Sequence, residues 1–335
     1  MNTKHTVGLS STEIAGLWAT YIMDSLSICL SKHFLQQSNN EDVKAIIKLT
    51  LDISQKHIEE IKNIFEKENF PIPKGFSDED IDLSAPPLFF DLFPVSYAYG
   101  MSRMGLMAYS MLTSNVARED IRSFFSKCLT SSLDLYNTSV NLMLSKGIYD
   151  RPTMIPYPDK VEFVKKKETF LSKWFEEKRP LNVLELSEIF FNIERNYFAV
   201  VLLTGFIQVV KDEQIKKFLT KGKDLAQKQI HFLNHTLIKD DLLGTIMVNS
   251  EVTTSTVSPF SEKLIMNLVT ILNTQGITYI GHAIASSARI DLAIEYSKLI
   301  PEILQYGKEG ADILIERGWM EEPPHAPNRK ELAEN

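Results

Sequence analysis

An all-α chain made of two copies of one four-helix bundle is what this sequence predicts, on three observations: an internal repeat, helical periodicity in every long segment, and the placement of proline. Shifted by 172 residues against itself, the chain pairs Glu13 with Glu185, Phe34 with Phe206, Glu41 with Glu213, Asp52 with Asp224, and the run Gln55 to Ile58 with Gln227 to Ile230. One residue then drops out of the offset. At 171 the match resumes with Gly105 on Gly276, Arg118 on Arg289, Asp120 on Asp291, Gly147 on Gly318 and Pro156 on Pro327. A repeat of about 170 residues is the size of a domain, several times a solenoid unit, so it means one fold used twice. The boundaries it predicts are a first bundle at 1–150, a linker at 151–180 and a second bundle at 181–335.

Of the fourteen prolines, only Pro94 and Pro301 fall inside periodic segments. Proline removes a helical donor and clashes with the preceding turn, so the stretches free of it are the natural helices. The first begins near Ser10-Ser11-Thr12-Glu13, a hydroxyl cap followed by an acid that suits the positive helix end. Ile14, Leu17, Trp18, Tyr21, Leu26 and Cys29 then recur at steps of three and four, one buried stripe. A second helix runs from about 40 to 69, with Val43, Ile46, Ile47, Leu51, Ile58, Ile61 and Phe65 inward. After a proline-rich loop, a third reaches about Ser114, and a fourth runs from about Asn115 to a glycine C-cap at Gly147. The second half repeats the plan at about 182–210, 213–239, 259–286 and 288–317, closed by Gly318. Between the halves, 160–178 carries Val161, Phe163, Val164, Phe170, Leu171, Trp174 and Phe175, which predicts an extra helix bridging the bundles. No run of alternating strand residues interrupts this pattern, and four long helices per repeat describe a four-helix bundle.

Composition narrows the function. A formal charge of -7 argues against a nucleic-acid binder, and the cluster Lys165-Lys166-Lys167 is followed by Glu168, Glu176 and Glu177, the pattern of a solvated face. Cys29 and Cys128 have Val201 and Leu299 at their repeat positions, so no disulfide framework is duplicated and a reducing compartment is expected. The N-terminus has no apolar leader region, and the longest apolar run, 197–210, is short of the roughly 20 residues a membrane span needs.

Three segments carry a resemblance: KWFEEKRPLNVLELSEIFFNIERNYFAVVLLTGF, EVTTSTVSPFSEKLIMNL and the ending ERGWMEEPPHAPNR. They resemble a family of Bacillus proteins of undescribed function built from tandem ferritin-like four-helix bundles. Single-bundle relatives in that family are labelled spore coat proteins, and the GW-x-x-x-P ending is similar to that of the spore coat protein F group. The resemblance implies a ferritin-like fold in each half and a non-enzymatic structural or interaction protein of sporulation. It further implies synthesis in the cytoplasm, a place in the spore coat and other coat proteins as partners; no cofactor is expected, because the sequence lacks the standard ligand set.

A ferritin-like bundle raises the question of a di-iron site, which needs carboxylates on two helices and Glu-x-x-His on the other two. The one Glu-x-x-His is Glu322-Pro323-Pro324-His325, in the tail. The alternative is a divalent metal or small ligand in the second bundle, where His231 and His235 are spaced i, i+4 and Glu194 and His282 stand on neighbouring helices. Their first-half counterparts are Glu59, Asn63, Ile22 and Met111, so one copy lacks the set. His57 with Glu60 reads as a helix-surface pair. Arg118 with Asp120, mirrored by Arg289 with Asp291, reads as a structural device at the start of each fourth helix. Met101, Met104, Met107 and Met111 form a stripe suited to core filling or to an apolar ligand cavity. Gly105 and Gly276, each mid-helix at a cost of about 1 kcal/mol against alanine, predict a close helix approach. Phosphate loops, Gly-x-Ser-x-Gly elbows, zinc cysteine pairs and His-Glu-x-x-His are absent from the sequence.

Overall fold

The computed structural model describes residues 7–165, 179–245 and 252–334. The helices are α1 (Ser11–Gln37), α2 (Glu41–Lys67), α3 (Leu92–Asn115), α4 (Glu119–Ser145), α5 (Val183–Val209), α6 (Glu213–Lys239), α7 (Glu262–Ser286), α8 (Ile290–Glu316) and a short α9 (Arg329–Glu334). One 3-10 turn, Asp78–Asp80, lies in the α2–α3 loop, and among the described residues there are two isolated β-bridges and no strand. Helices α1 to α4 pack as one bundle and α5 to α8 as a second, so the all-α architecture with tandem four-helix bundles is observed.

Helix ends follow the local chemistry of the sequence. Ser10 accepts from the Glu13 amide while Glu13 reaches back to the Ser10 amide, a capping box that Asn182 and Glu185 repeat at α5. Gly147 and Gly318 sit at φ +68 and +64, the left-handed position that a side chain would disfavour. The amides of Ile148 and Trp319 close the loop onto Met143 and Leu314 carbonyls, the Schellman pattern. Gly105 meets its expectation, because a Cβ there would come within 2.4 Å of Ser132 Oγ on α4. The bridging helix expected at 160–178 fares differently. Residues 160–165 are exposed and non-helical, and 166–178 lie outside the described residues.

Each bundle carries the same polar staple. In the first, the Arg118 amide donates to Glu13 at 3.0 Å, and its guanidinium binds Asp120, Glu68 and the Val7 carbonyl. In the second, the Arg289 amide donates to Glu185 at 2.9 Å, and its guanidinium binds Asp291, Asp240 and the Arg179 carbonyl. Every partner is the repeat equivalent of the other, so the start of the first helix, the end of the second and the start of the fourth are tied together twice. The second staple is the more enclosed, with Arg179 adding a bidentate pair to Glu185.

The bundles join through their long loops. Ile81 bridges Phe260 and Phe89 bridges Val252, both antiparallel. Adding 171 turns 81 into 252 and 89 into 260, so each bridge is the image of the other under exchange of the two halves. The hydrogen bonds obey the same rule: the Asp82 amide donates to the Pro259 carbonyl at 2.8 Å, and the Thr253 amide to the Leu88 carbonyl at 3.0 Å. So do the rings, with Phe34 edge-on to Phe260 at 6.4 Å and Phe206 edge-on to Phe89 at 6.2 Å. Self-reciprocal contact of this kind is the signature of a twofold, isologous interface, here made within one chain. A single apolar cluster runs through it, holding Leu26, Phe34, Phe89 and Phe93 from the first half with Leu202, Phe206, Phe260 and Leu264 from the second. Glu321, in the GW-x-x-x-P ending, accepts from the Lys74 and Gly75 amides and fastens the C-terminal tail to the first-half loop.

By length and composition α1 could cross a membrane, yet 61% of its most apolar window is buried inside the bundle. Its hydropathy is accounted for by core packing.

Candidate functional site

The first and second helices of each bundle meet at equivalent polar positions, and the two halves differ there. In the first bundle Asp24 on α1 faces α2, with Oδ2 at 2.9 Å from His57 Nδ1 and Oδ1 accepting from Ser54 Oγ at 2.9 Å. Ser54 also reaches Ser27 at 3.1 Å, and all four side chains are buried. His57 is therefore an interhelical residue rather than the surface partner of Glu60, which binds Lys127 instead. Asp52 lies on the surface, paired with Lys48. In the second bundle Asn196 and Gln229 replace Asp24 and His57, with Asn196 Nδ2 donating to Gln229 Oε1 at 3.1 Å. An aspartate–histidine pair in one half is an asparagine–glutamine pair in the other.

Beside that amide pair stands Arg195, whose first-half counterpart is Met23. Its Nη2 donates to Asn192 Oδ1 at 3.2 Å and Gln229 Oε1 at 3.3 Å, and its guanidinium lies 5.7 Å from the Tyr279 ring centre. Its Nε is sealed from solvent with no hydrogen-bond partner, while the rest of the group keeps some surface that lines a cavity. Among the described residues no carboxylate pairs with it. Burial pulls its pKa down to about 10, with the Tyr279 and Tyr296 rings opposing. Gly276 makes room for it: a Cβ there would stand 3.0 Å from Nη1.

The cavity is about 980 Å³ and lies where α3 of the first bundle meets α5, α6 and α7 of the second. Successive helical residues diverge by about 100°, so Glu194, next to Arg195 in sequence, turns instead toward the first bundle. There its carboxylate pairs with Arg103, which also stacks on Phe191 and reaches Tyr99. Burial raises the Glu194 pKa against the pull of Arg103. Met101 and Met104 line the cavity, whereas Met107 and Met111 are exposed, so the methionine stripe divides between the two roles.

The four residues singled out for a metal are not brought together. Glu194 is held by Arg103, His282 is exposed and bonded to Glu188 at 3.0 Å, and His231 and His235 are exposed on α6. Among the described residues no three His, Cys, Asp or Glu side chains are grouped to hold an ion. Both cysteines are buried, and burial pushes the Cys29 thiol up to about 12 and Cys128 higher still. The cavity combines an apolar wall with the guanidinium groups of Arg103, paired with Glu194, and Arg195.

Asp24 and Arg195 were missed by local patterning. One signal for the first lay in the repeat itself: positions 24 and 57 change together, to asparagine and glutamine at 196 and 229, as contacting residues do.

Compared with known protein families, residues 1–161 and 169–332 match DUF3231, described as a protein of unknown function. No curated protein matches the chain. Among solved structures, one described as a "putative spore coat protein" from Bacillus halodurans is similar at 18% identity and a TM-score of 0.40, over 45% of this chain and 98% of that one.

Proposed function

The chain belongs to the DUF3231 family of proteins of unknown function, and from that premise we propose that it is a non-enzymatic structural and interaction protein, a rigid two-bundle block of the ferritin-like type. The observation that carries this reading is the reciprocal junction. Domains in one chain move relative to each other by default unless their interface is large and apolar. Here one apolar cluster spans both bundles, and paired loops lock it on either side of the pseudo-twofold axis. Such a block offers partners a fixed surface, as a component of an assembled layer must.

The likeness of the ending ERGWMEEPPHAPNR to spore coat proteins supports the finer reading. On it, the protein is made in the cytoplasm during sporulation and joins other coat proteins at the spore surface. Immunoblots of coat extracts and of vegetative lysate from a native host test this. The signal is expected in the coat extract, and a signal confined to vegetative cytosol would contradict it.

A further inference from the structure

We infer that the cavity between the bundles binds an amphipathic carboxylate, a fatty-acid-like molecule whose headgroup pairs with Arg195 and whose tail lies along the apolar wall. The inference goes beyond the structural role and does not depend on where the protein resides.

Three features converge on it. The first is an uncompensated cation. A buried guanidinium is ordinarily paired, because an isolated buried charge is costly. The hydrogen bonds that Arg195 makes go to side-chain amide oxygens, of Asn192 and Gln229, beside the Tyr279 ring. The position that supplies a carboxylate in the first bundle, Asp24, is Asn196 here, so the local anion has been exchanged for an amide. An incoming carboxylate matches the planar fork of a guanidinium with two parallel hydrogen bonds.

The second feature is the wall. Met101 and Met104 from α3, Leu202 and Leu203 from α5, and Val269 and Leu272 from α7 line the same space. That surface suits an alkyl chain, and flexible methionines adapt to one. The third is access. The lining extends to Phe90 and Asp91, both exposed, which gives the cavity a mouth with an apolar residue at its edge. The volume of about 980 Å³ stands at the upper end of small-molecule pockets and holds a ten- to twelve-carbon chain with ease. The other cation of the lining, Arg103, is already neutralised by Glu194, so the headgroup is directed to Arg195.

Titration calorimetry on the full chain with decanoate, decanol and inorganic phosphate tests the proposal. Decanoate is expected to bind at one site, and Arg195→Met to weaken it about 10- to 100-fold, the factor for a hydrogen-bonded ion pair, while decanol binding stays unchanged. Methionine is the first-half residue and removes an unpaired charge, so the variant is expected to melt no lower than the parent. Should it fail to fold, Leu272→Trp fills the cavity from the α7 side and is expected to abolish decanoate binding. Three results overturn the proposal: no decanoate binding at millimolar concentration, decanoate affinity unchanged by Arg195→Met or Leu272→Trp, or phosphate binding as tightly as decanoate.

Discussion

Phe260→Ala is expected to lower the stability of the whole protein, not of one bundle, by about 3–5 kcal/mol, the usual cost of deleting a buried phenyl ring. Phe260 belongs to the second-half loop and is 4% exposed, yet its ring meets His33 and Phe34 of the first bundle as well as Phe206 of the second. Removing it opens a hole shared by both halves. Phe89, its image under the pseudo-twofold, stacks on Phe93 at 3.9 Å and meets Phe206 edge-on. Phe89→Ala is therefore expected to cost a similar amount. The double variant should fall short of the sum, because both rings lean on Phe206. Urea titration followed by circular dichroism measures all three, and a loss under 1 kcal/mol for Phe260→Ala, or one confined to part of the transition, would count against a shared core.

The second large effect comes with acid. His33 on α1 is 1% exposed, packed edge-on to Phe260 at 5.4 Å, and burial pulls its pKa from 6.5 to about 4, opposed by attraction from Asp82. A base whose pKa is depressed in the folded state binds its proton more readily when unfolded. Stability is then fully present above pH 6.5, falls as pH drops, and stops falling near pH 4. Integrated over that interval the loss is about 3 kcal/mol, with about 2 kcal/mol gone by pH 5. Glu13 and Glu185 contribute in a lower window. Burial raises their pKa values, but hydrogen bonds from backbone and arginine neighbours outweigh it and hold both below 4.5, so their share disappears only as pH falls through that range. Comparing the parent with His33→Leu between pH 7.5 and 5 isolates the histidine. The parent's steeper decline is expected to vanish in the variant, and parallel curves would remove His33 from the account.

Much of the fold was legible because it is written locally. Ser10, Gly147 and Gly318 mark helix ends through contacts within a few residues, and the repeat doubled every such signal. The staple was half legible: Arg118 with Asp120 stood out as a repeated pair, but Glu13 and Glu68, which complete it, lie 105 and 50 residues away. The candidate site was mostly hidden. His57 was matched to Glu60 one turn along its own helix, whereas its partner Asp24 is 33 residues back on another helix. Glu194 was grouped with three histidines of its own half, whereas the contact its carboxylate makes is with Arg103 of the other bundle. Nothing in periodicity reports a contact between bundles. The loop pairing of Ile81 with Phe260 is likewise invisible in a proline-rich stretch with no alternation.

The central claim is that the two bundles form one body through their reciprocal loops, with the peptide link between them dispensable. Residues 151–165 are exposed along their whole length, so a protease site introduced there can be cut without touching a helix. After complete cleavage, the two fragments are expected to elute together from a sizing column at micromolar concentration and to unfold in one transition. Fragments that separate into independently folded halves, each with its own transition, would contradict it.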